Sequence, residues 1–262
     1  MIAPFLVHRC GLEGETNIRF CAGCDIAFFE RRLSEPESAA LYSGYRGDAY
    51  NLQRIGFDSY YQTYVDLFAD PLSTYYTDRV ADYLDVMETF PEIRPRRILD
   101  FGGDGSLPRR VFPYADIVFD DVSLAADPTA THSYDMIFAS QVLEHLSDPL
   151  ASLQQIGQRL APDGVMFVDV PRDVEVSLAE GFLKQSRSGG ALFYMHEHIT
   201  YFSRRSLGLL LTAAGFEPFF EVTPARQTTF LALAVRPSHP LAERFRSERL
   251  LRTLSWSHTR PR

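Results

Sequence analysis

The chain holds a single lysine, a single tryptophan and three cysteines in 262 residues. Three thiols in one short stretch cannot form the disulfide framework of a small secreted protein. No apolar run approaches the ~20 residues that a membrane-spanning helix needs. Residues 1–10 lack the basic start and apolar core of a secretory signal, so cytoplasmic residence is the expectation. Acidic residues outnumber basic ones 34 to 26, for a net charge of −8. That balance argues against nonspecific binding to nucleic acid or an anionic membrane. Hydrophobic residues make up 45% and charged residues 23%, which excludes a disordered chain and fits a packed globular one.

The charge is unevenly placed. Residues 238–262 carry six arginines against Glu243 and Glu248, a net of +4. This basic tail reads first as a solvated terminal segment. All three cysteines, Cys10, Cys21 and Cys24, lie in the first tenth of the chain. Cys21-Ala-Gly-Cys24 is a pair at metal-ligand spacing, and His8 with Cys10 could complete a tetrahedral zinc set. The first pair is His-x-Cys rather than a second Cys-x-x-Cys, so free thiols on a degenerate knuckle remain the other reading.

The order of elements implies four parts: a knuckle-like leader over 1–40, a helical cap over 41–95, a core over 96–237 and the tail over 238–262. Tyrosines 42, 45, 50, 60, 61 and 64 crowd the cap. Tyr76, Val80, Tyr83, Leu84 and Met87 follow helical spacing, and Pro91 and Pro95 close that helix. From there strands and helices alternate. Strands are expected at 97–101, 117–119, 135–139, 165–170, 216–222 and 228–235. Ser147-Asp148-Pro149 and Ser203 are helix starts, and Gly215 is a helix stop. Alternation of this kind predicts a mostly parallel sheet covered on both faces, and the last two closely spaced strands predict an antiparallel finish.

The first core strand ends in Asp100 and runs into Gly102-Gly-Asp-Gly105. Glycines let a backbone approach a ligand closely, and ligands of open α/β sheets sit beyond the carboxyl ends of the strands. A dinucleotide prefers G-x-G-x-x-G, and Pro108 stands where its third glycine belongs. An acid at the strand end suits the ammonium of a methionine moiety instead. A second acid about twenty residues on, Asp120 or Asp121, suits ribose hydroxyls. S-adenosylmethionine is the ligand that explains both.

Arg97-Ile-Leu-Asp-Phe-Gly-Gly-Asp-Gly105 resembles the first motif of class I SAM-dependent methyltransferases. Tyr134 to Pro149 is similar to their fourth-strand motif, and Leu160 to Pro171 to the helix end and strand that follow. The resemblance covers about residues 96–236 and implies a Rossmann-like α/β fold. It also implies that Gly102, Gly103 and Gly105 line the methionine end and that Asp121 holds the ribose. Ser140 and Gln141 would lie beside the sulfonium, and Glu144 and His145 belong to the same motif, either orienting the loop and helix start or taking part in the chemistry. Ser106 replaces a glycine of the family turn, and the 121–134 stretch is short for a helix and strand. Cys21 to Phe29 with Tyr42-Ser-Gly-Tyr45 resembles the zinc-knuckle leader of a subgroup that includes deoxysugar C-methyltransferases.

A long connection, 172–201, carries Gly189-Gly190 and then Tyr194-Met-His-Glu-His-Ile-Thr-Tyr-Phe202. It reads as a lid over the strand ends. Histidine suits proton removal near neutral pH. Glu197-His198 resembles the Glu-His of the sugar C-methyltransferases, which implies His198 as base and Glu197 as its orienting partner. The function expected is methyl transfer to a small polar acceptor, with a nucleotide-linked sugar as the specific candidate. An O-methyltransferase of glycans or small metabolites, and a non-catalytic SAM-binding partner protein, are the alternatives.

Overall fold

The computed structural model describes residues 2–120, 134–172, 195–220 and 229–248. In chain order the named elements are α1 (Pro4–Cys10), β1 (Ile18–Cys21), β2 (Ile26–Phe29), α2 (Glu35–Tyr42), α3 (Asp48–Phe57), α4 (Tyr61–Ala69) and α5 (Thr74–Thr89). The core follows with β3 (Arg97–Phe101), α6 (Ser106–Val111), β4 (Asp116–Asp120), β5 (Tyr134–Ser140), α7 (Pro149–Gly157) and β6 (Leu160–Pro171). It ends with β7 (Thr200–Phe202), α8 (Arg204–Ala213), β8 (Glu217–Phe220) and β9 (Thr229–Val235), and residues 242–248 are helical.

The main sheet has six described strands in the order β4-β3-β5-β6-β9-β8. β4, β3, β5 and β6 run parallel to one another, and β9 runs antiparallel between β6 and β8. This is the mostly parallel α/β sheet with an antiparallel finish that the sequence implies. Because strand side chains alternate, each strand supplies both faces. Leu99, Ile137, Ala139, Met166, Val168 and Val170 pack under α7 and α8. Ile98, Met136, Phe138, Val165 and Phe167 pack under α5 and α6 on the other side. The helix starts are local events. Asp148 accepts the Ala151 N–H at 2.9 Å with Pro149 in the first turn, and Ser203 and Ser206 form a reciprocal cap.

The amino-terminal part does not stand apart from the core. β1 and β2 form an antiparallel hairpin, and β7 adds to β2 to complete a three-stranded sheet. Phe5, Leu6, Leu12, Phe29, Leu41 and Tyr50 share one apolar cluster with Met195, Ile199 and Tyr201. Helix α5 lies inside the span read as cap, yet its Tyr83 and Val86 pack against the sheet with Phe138 and Phe167. An apolar stripe records that a helix is buried, not which surface buries it.

Candidate active site

Parallel strands bring their carboxyl ends to one edge of the sheet, and the SAM motif residues arrive there together. Asp100 is buried near the end of β3, and its Oδ2 accepts the Gly105 N–H at 2.7 Å. Gly102 and Gly105 have φ of +72° and +76°, a region that only glycine enters readily. At Gly103 an added Cβ would stand 2.1 Å from Asp100 Oδ2, so glycine is what lets the carboxylate lie under the turn. Burial pushes the Asp100 carboxyl up to about 6, the Gly105 N–H opposing and nearby Asp104 adding to the rise. Such an acid fits a cationic ligand group, because the pairing would offset the cost of its burial. The donor set therefore fits the ammonium end of S-adenosylmethionine. Asp120 is the last residue of β4, while Asp121 lies outside the described residues.

Ser140 ends β5, and Gln141 follows with φ +56°, unusual for a side chain of its size. Asp169 of β6 holds both. Its carbonyl accepts the Gln141 N–H at 3.0 Å, and its Oδ1 accepts from Gln141 Nε2 at 2.6 Å. Its Oδ2 accepts from Ser140 Oγ and from the Tyr83 hydroxyl. Arg79 of α5 lies 3.3 Å from the carboxylate and also reaches Ser140. Burial raises the Tyr83 hydroxyl, and the Asp169 charge adds to it. No motif marks Arg79 or Asp169 as a site residue, and in sequence Tyr83 reads only as an apolar position of a helix. A lone acid inside Val165-Met-Phe-Val-Asp169-Val170 was the available signal, since a buried charge requires a partner.

A second group stands beyond Gln141, on the 3₁₀ turn Leu143–His145 and the segment before β7. Here the expected pairing is corrected. The Glu197 carboxylate turns to Arg54 Nε at 3.4 Å and accepts from the Tyr50 hydroxyl at 3.2 Å. The carboxylate beside His198 is instead Glu144, with Oε1 at 4.0 Å from Nε2. Neighbours in sequence do not share a direction merely by adjacency, and the Arg54 charge draws Glu197 into the leader's core. Burial pushes the Glu197 carboxyl up, but Arg54, a backbone N–H and the histidines His196 and His145 together outweigh it and hold the group below the ordinary range. His145 packs edge-on against His198 at 4.7 Å between ring centroids. Its Nδ1 lies 3.0 Å from both the Tyr42 hydroxyl and the Glu197 carbonyl. A carbonyl only accepts, so that nitrogen carries the proton. Burial pushes His145 down to about 3, the His198 ring adding to the fall. His196 sits 3.1 Å from Arg54.

Donor atoms of Glu144, His145 and His198 lie within 4.8 Å of one another. The Glu144–histidine separations are 3.7 and 4.0 Å, a spacing from which the three side chains could converge on a metal ion. The proposed zinc ligands are not gathered in this way among the described residues. Cys21 and Cys24 flank the β1–β2 turn, with Arg205 in the field of Cys24. Cys10 packs instead against the leader core, where Glu37 and Glu197 act on it, and the His8 ring lies on Phe57. The Gly189-Gly190 hinge and Tyr194 lie outside the described residues, as does most of the basic tail.

Residues 72–219 match the family model described as a methyltransferase domain, more than half of the chain. The protein belongs to this methyltransferase family and is an enzyme.

Among solved structures, this chain is similar to the Burkholderia thailandensis 1,6-didemethyltoxoflavin-N1-methyltransferase, solved with bound 1,6-didemethyltoxoflavin and S-adenosylhomocysteine. Identity is 18% over 85% of this chain and 99% of that one, with TM-score 0.47. It is also similar to a SAM-dependent methyltransferase from Aquifex aeolicus, at 16% identity over 57% of this chain and 88% of that one, TM-score 0.39. A Nostoc punctiforme protein assigned as an O-methyltransferase matches at 17% identity over 59% of this chain, TM-score 0.42, and this chain covers 56% of its length. No curated protein sequence matches this chain. No described helix is long and apolar enough to cross a membrane.

Proposed function

We propose that the enzyme transfers a methyl group from S-adenosylmethionine to a small polar acceptor, with His198 removing the acceptor's proton. A nucleotide-linked sugar, methylated on carbon beside a ketone as in the deoxysugar C-methyltransferases that the leader resembles, is the specific acceptor we favour. The observation that carries this reading is the Glu144–His198 pair, 4.0 Å apart, with Glu144 on the turn that follows Gln141 and the His198 segment tied to it by the Ile199 N–H on the Glu144 carbonyl. When bound, the cofactor supplies an electrophilic methyl group on a sulfonium.

Asp100 takes the ammonium of the methionine moiety, and the Gly102–Gly105 turn lets that moiety approach the backbone. Asp120 or Asp121 holds the ribose. Ser140 and Gln141, fixed by Asp169, border the reacting methyl. His198 is partly exposed, with 35% of its side chain open, so an acceptor can reach its ring. Glu144 favours the imidazolium that forms when the ring takes the proton. Glu197 is a positioning residue: its ion pair with Arg54 and the hydrogen bond it accepts from Tyr50 fix the segment that presents His198.

Acceptor pools incubated with isotopically labelled cofactor and the protein test the function, read by mass spectrometry. His198→Ala should lower kcat by ~100- to 10,000-fold, the range of general-base contributions, while cofactor affinity stays within about twofold. Labelled product formed at the wild-type rate by this variant would remove His198 from the chemistry.

A further inference from the structure

Glu144, His145 and His198 bring two imidazoles and one carboxylate to a single point, their donor atoms within 4.8 Å of one another. The reaction outlined above uses only part of this group, His198 as the base and Glu144 as its partner. It gives His145 no task, although that ring meets both of the others. The set shares no residue with the cysteine-bearing leader.

His145 is set up as a metal ligand is. Its Nδ1 donates to the Glu197 carbonyl at 3.0 Å, which leaves the lone pair on Nε2. Nε2 is the atom that faces Glu144 Oε1, at 3.7 Å. A ligating histidine almost always anchors its other nitrogen in this manner, fixing both tautomer and ring direction. The Tyr42 hydroxyl, 3.0 Å from the same Nδ1, closes that side of the ring. His198 presents its own Nε2 to the same carboxylate oxygen, at 4.0 Å. The two segments are held together by the backbone, through the Ile199 N–H on the Glu144 carbonyl at 2.9 Å. Glu144 is buried and His145 nearly so, while His198 is partly open, so an ion has a way in.

We infer that Glu144, His145 and His198 form a binding site for a divalent transition-metal ion of the zinc type, and that the bound ion blocks methyl transfer. Two imidazole nitrogens with one carboxylate suit zinc and its neighbours, whereas magnesium and calcium take oxygen ligands. A neutral imidazole has one lone pair. With its Nε2 on the ion, the His198 ring has none left for the acceptor's proton. Metal and proton therefore compete for one atom, and transfer falls as the site fills. The site stands on its own geometry; its blocking effect rests on the reading of His198 as the base.

The test uses the full chain carrying Cys21→Ser and Cys24→Ser, so that the leader's thiols do not bind the probe. Zinc chloride is titrated by calorimetry, and cobalt chloride by absorption. One zinc should bind per chain, and cobalt should give visible bands without the near-ultraviolet thiolate band. Magnesium should bind at least a hundredfold more weakly than zinc. His198→Ala and Glu144→Gln should each weaken zinc by at least ~10- to 100-fold, the loss that even an outer partner of a metal site causes, and His196→Ala by less than about twofold. Circular dichroism verifies the fold of each variant, and His198→Ala, at a partly open position, serves even where Glu144→Gln disturbs the core. In the second arm, labelled methyl transfer should fall as zinc is added, with half-inhibition at the calorimetric Kd, and return with a chelator. No zinc binding, unchanged zinc affinity in folded His198→Ala and Glu144→Gln, or transfer that rises with zinc would overturn the proposal. A chain that binds zinc here yet labels no acceptor in the absence of metal would count against the acceptor reading and not against the site.

Discussion

Arg79 of α5 and Asp169 of β6 meet at 3.3 Å, ninety positions apart in the chain, both almost fully buried. The pair ties the first helix against the sheet to the strand end where Gln141 is held left-handed. Removing one member leaves the other charged in a dry interior. Asp169→Ala should cost about 3–5 kcal/mol, the range for breaking a buried ion pair from one side. Replacing both, as Arg79→Met with Asp169→Leu, should restore much of that stability while still releasing Gln141. Denaturant unfolding measures the first effect. A loss below about 1 kcal/mol for Asp169→Ala would mean that water reaches the site.

Gly103 is limited by contact rather than by backbone conformation. Gly103→Ala would put a methyl group 2.1 Å from Asp100 Oδ2, so the carboxylate must leave its bond to Gly105. The expected outcome is about 1–3 kcal/mol of overpacking strain and a loss of cofactor affinity of about tenfold or more. Calorimetry with S-adenosylhomocysteine reads the second effect, and unchanged affinity would place the cofactor elsewhere.

Asp100 gives cofactor binding a pH dependence. Its folded-state value of about 6 lies above the ordinary 3.8 because burial disfavours the charged form. This group's contribution to stability is therefore complete below pH 3.8 and is lost as pH rises through 6. A cationic ligand reverses the preference, since it pairs with the ionised acid. An α-amino group, with its pKa of about 7.7–8.0, is charged throughout that window. Affinity for S-adenosylmethionine should rise as pH climbs through about 6, and Asp100→Asn should bind more weakly and lose that step. A pH-independent affinity in the wild type from 5 to 7, roughly the window named, would separate Asp100 from the ammonium.

The three thiols should react unequally. Burial pushes Cys10 up to about 11, whereas N–H and side-chain donation from Cys24 lowers Cys21, at an exposed turn. Only thiolates alkylate, so at pH 8 Cys10 should react about a hundredfold more slowly than an ordinary exposed thiol, and Cys21 fastest. Peptide mapping after brief iodoacetamide treatment reads the order. Equal protection of all three, relieved by a chelator, would instead show one zinc bound through His8, Cys10, Cys21 and Cys24.

The sequence by itself determined what is local. The Asp100-to-Gly105 turn, the caps at Asp148 and Ser203, and the strand–helix alternation depend on neighbours within a few residues. Period-two apolar strands then leave one outcome, a sheet covered on both faces, which gathers the strand-end residues automatically. Tertiary structure alone decided the partners. Sequence put Glu197 beside His198, but folding put Arg54 beside Glu197 and Glu144 beside His198. It likewise joined β7 to the leader's hairpin and closed Asp169 on Arg79. Backbone pattern is fixed by short-range sterics and periodicity. A buried charge takes whichever opposite charge the packed surfaces carry to it, and that choice is made across long stretches of chain, as the ninety residues between Arg79 and Asp169 and the separation of Arg54 from Glu197 record.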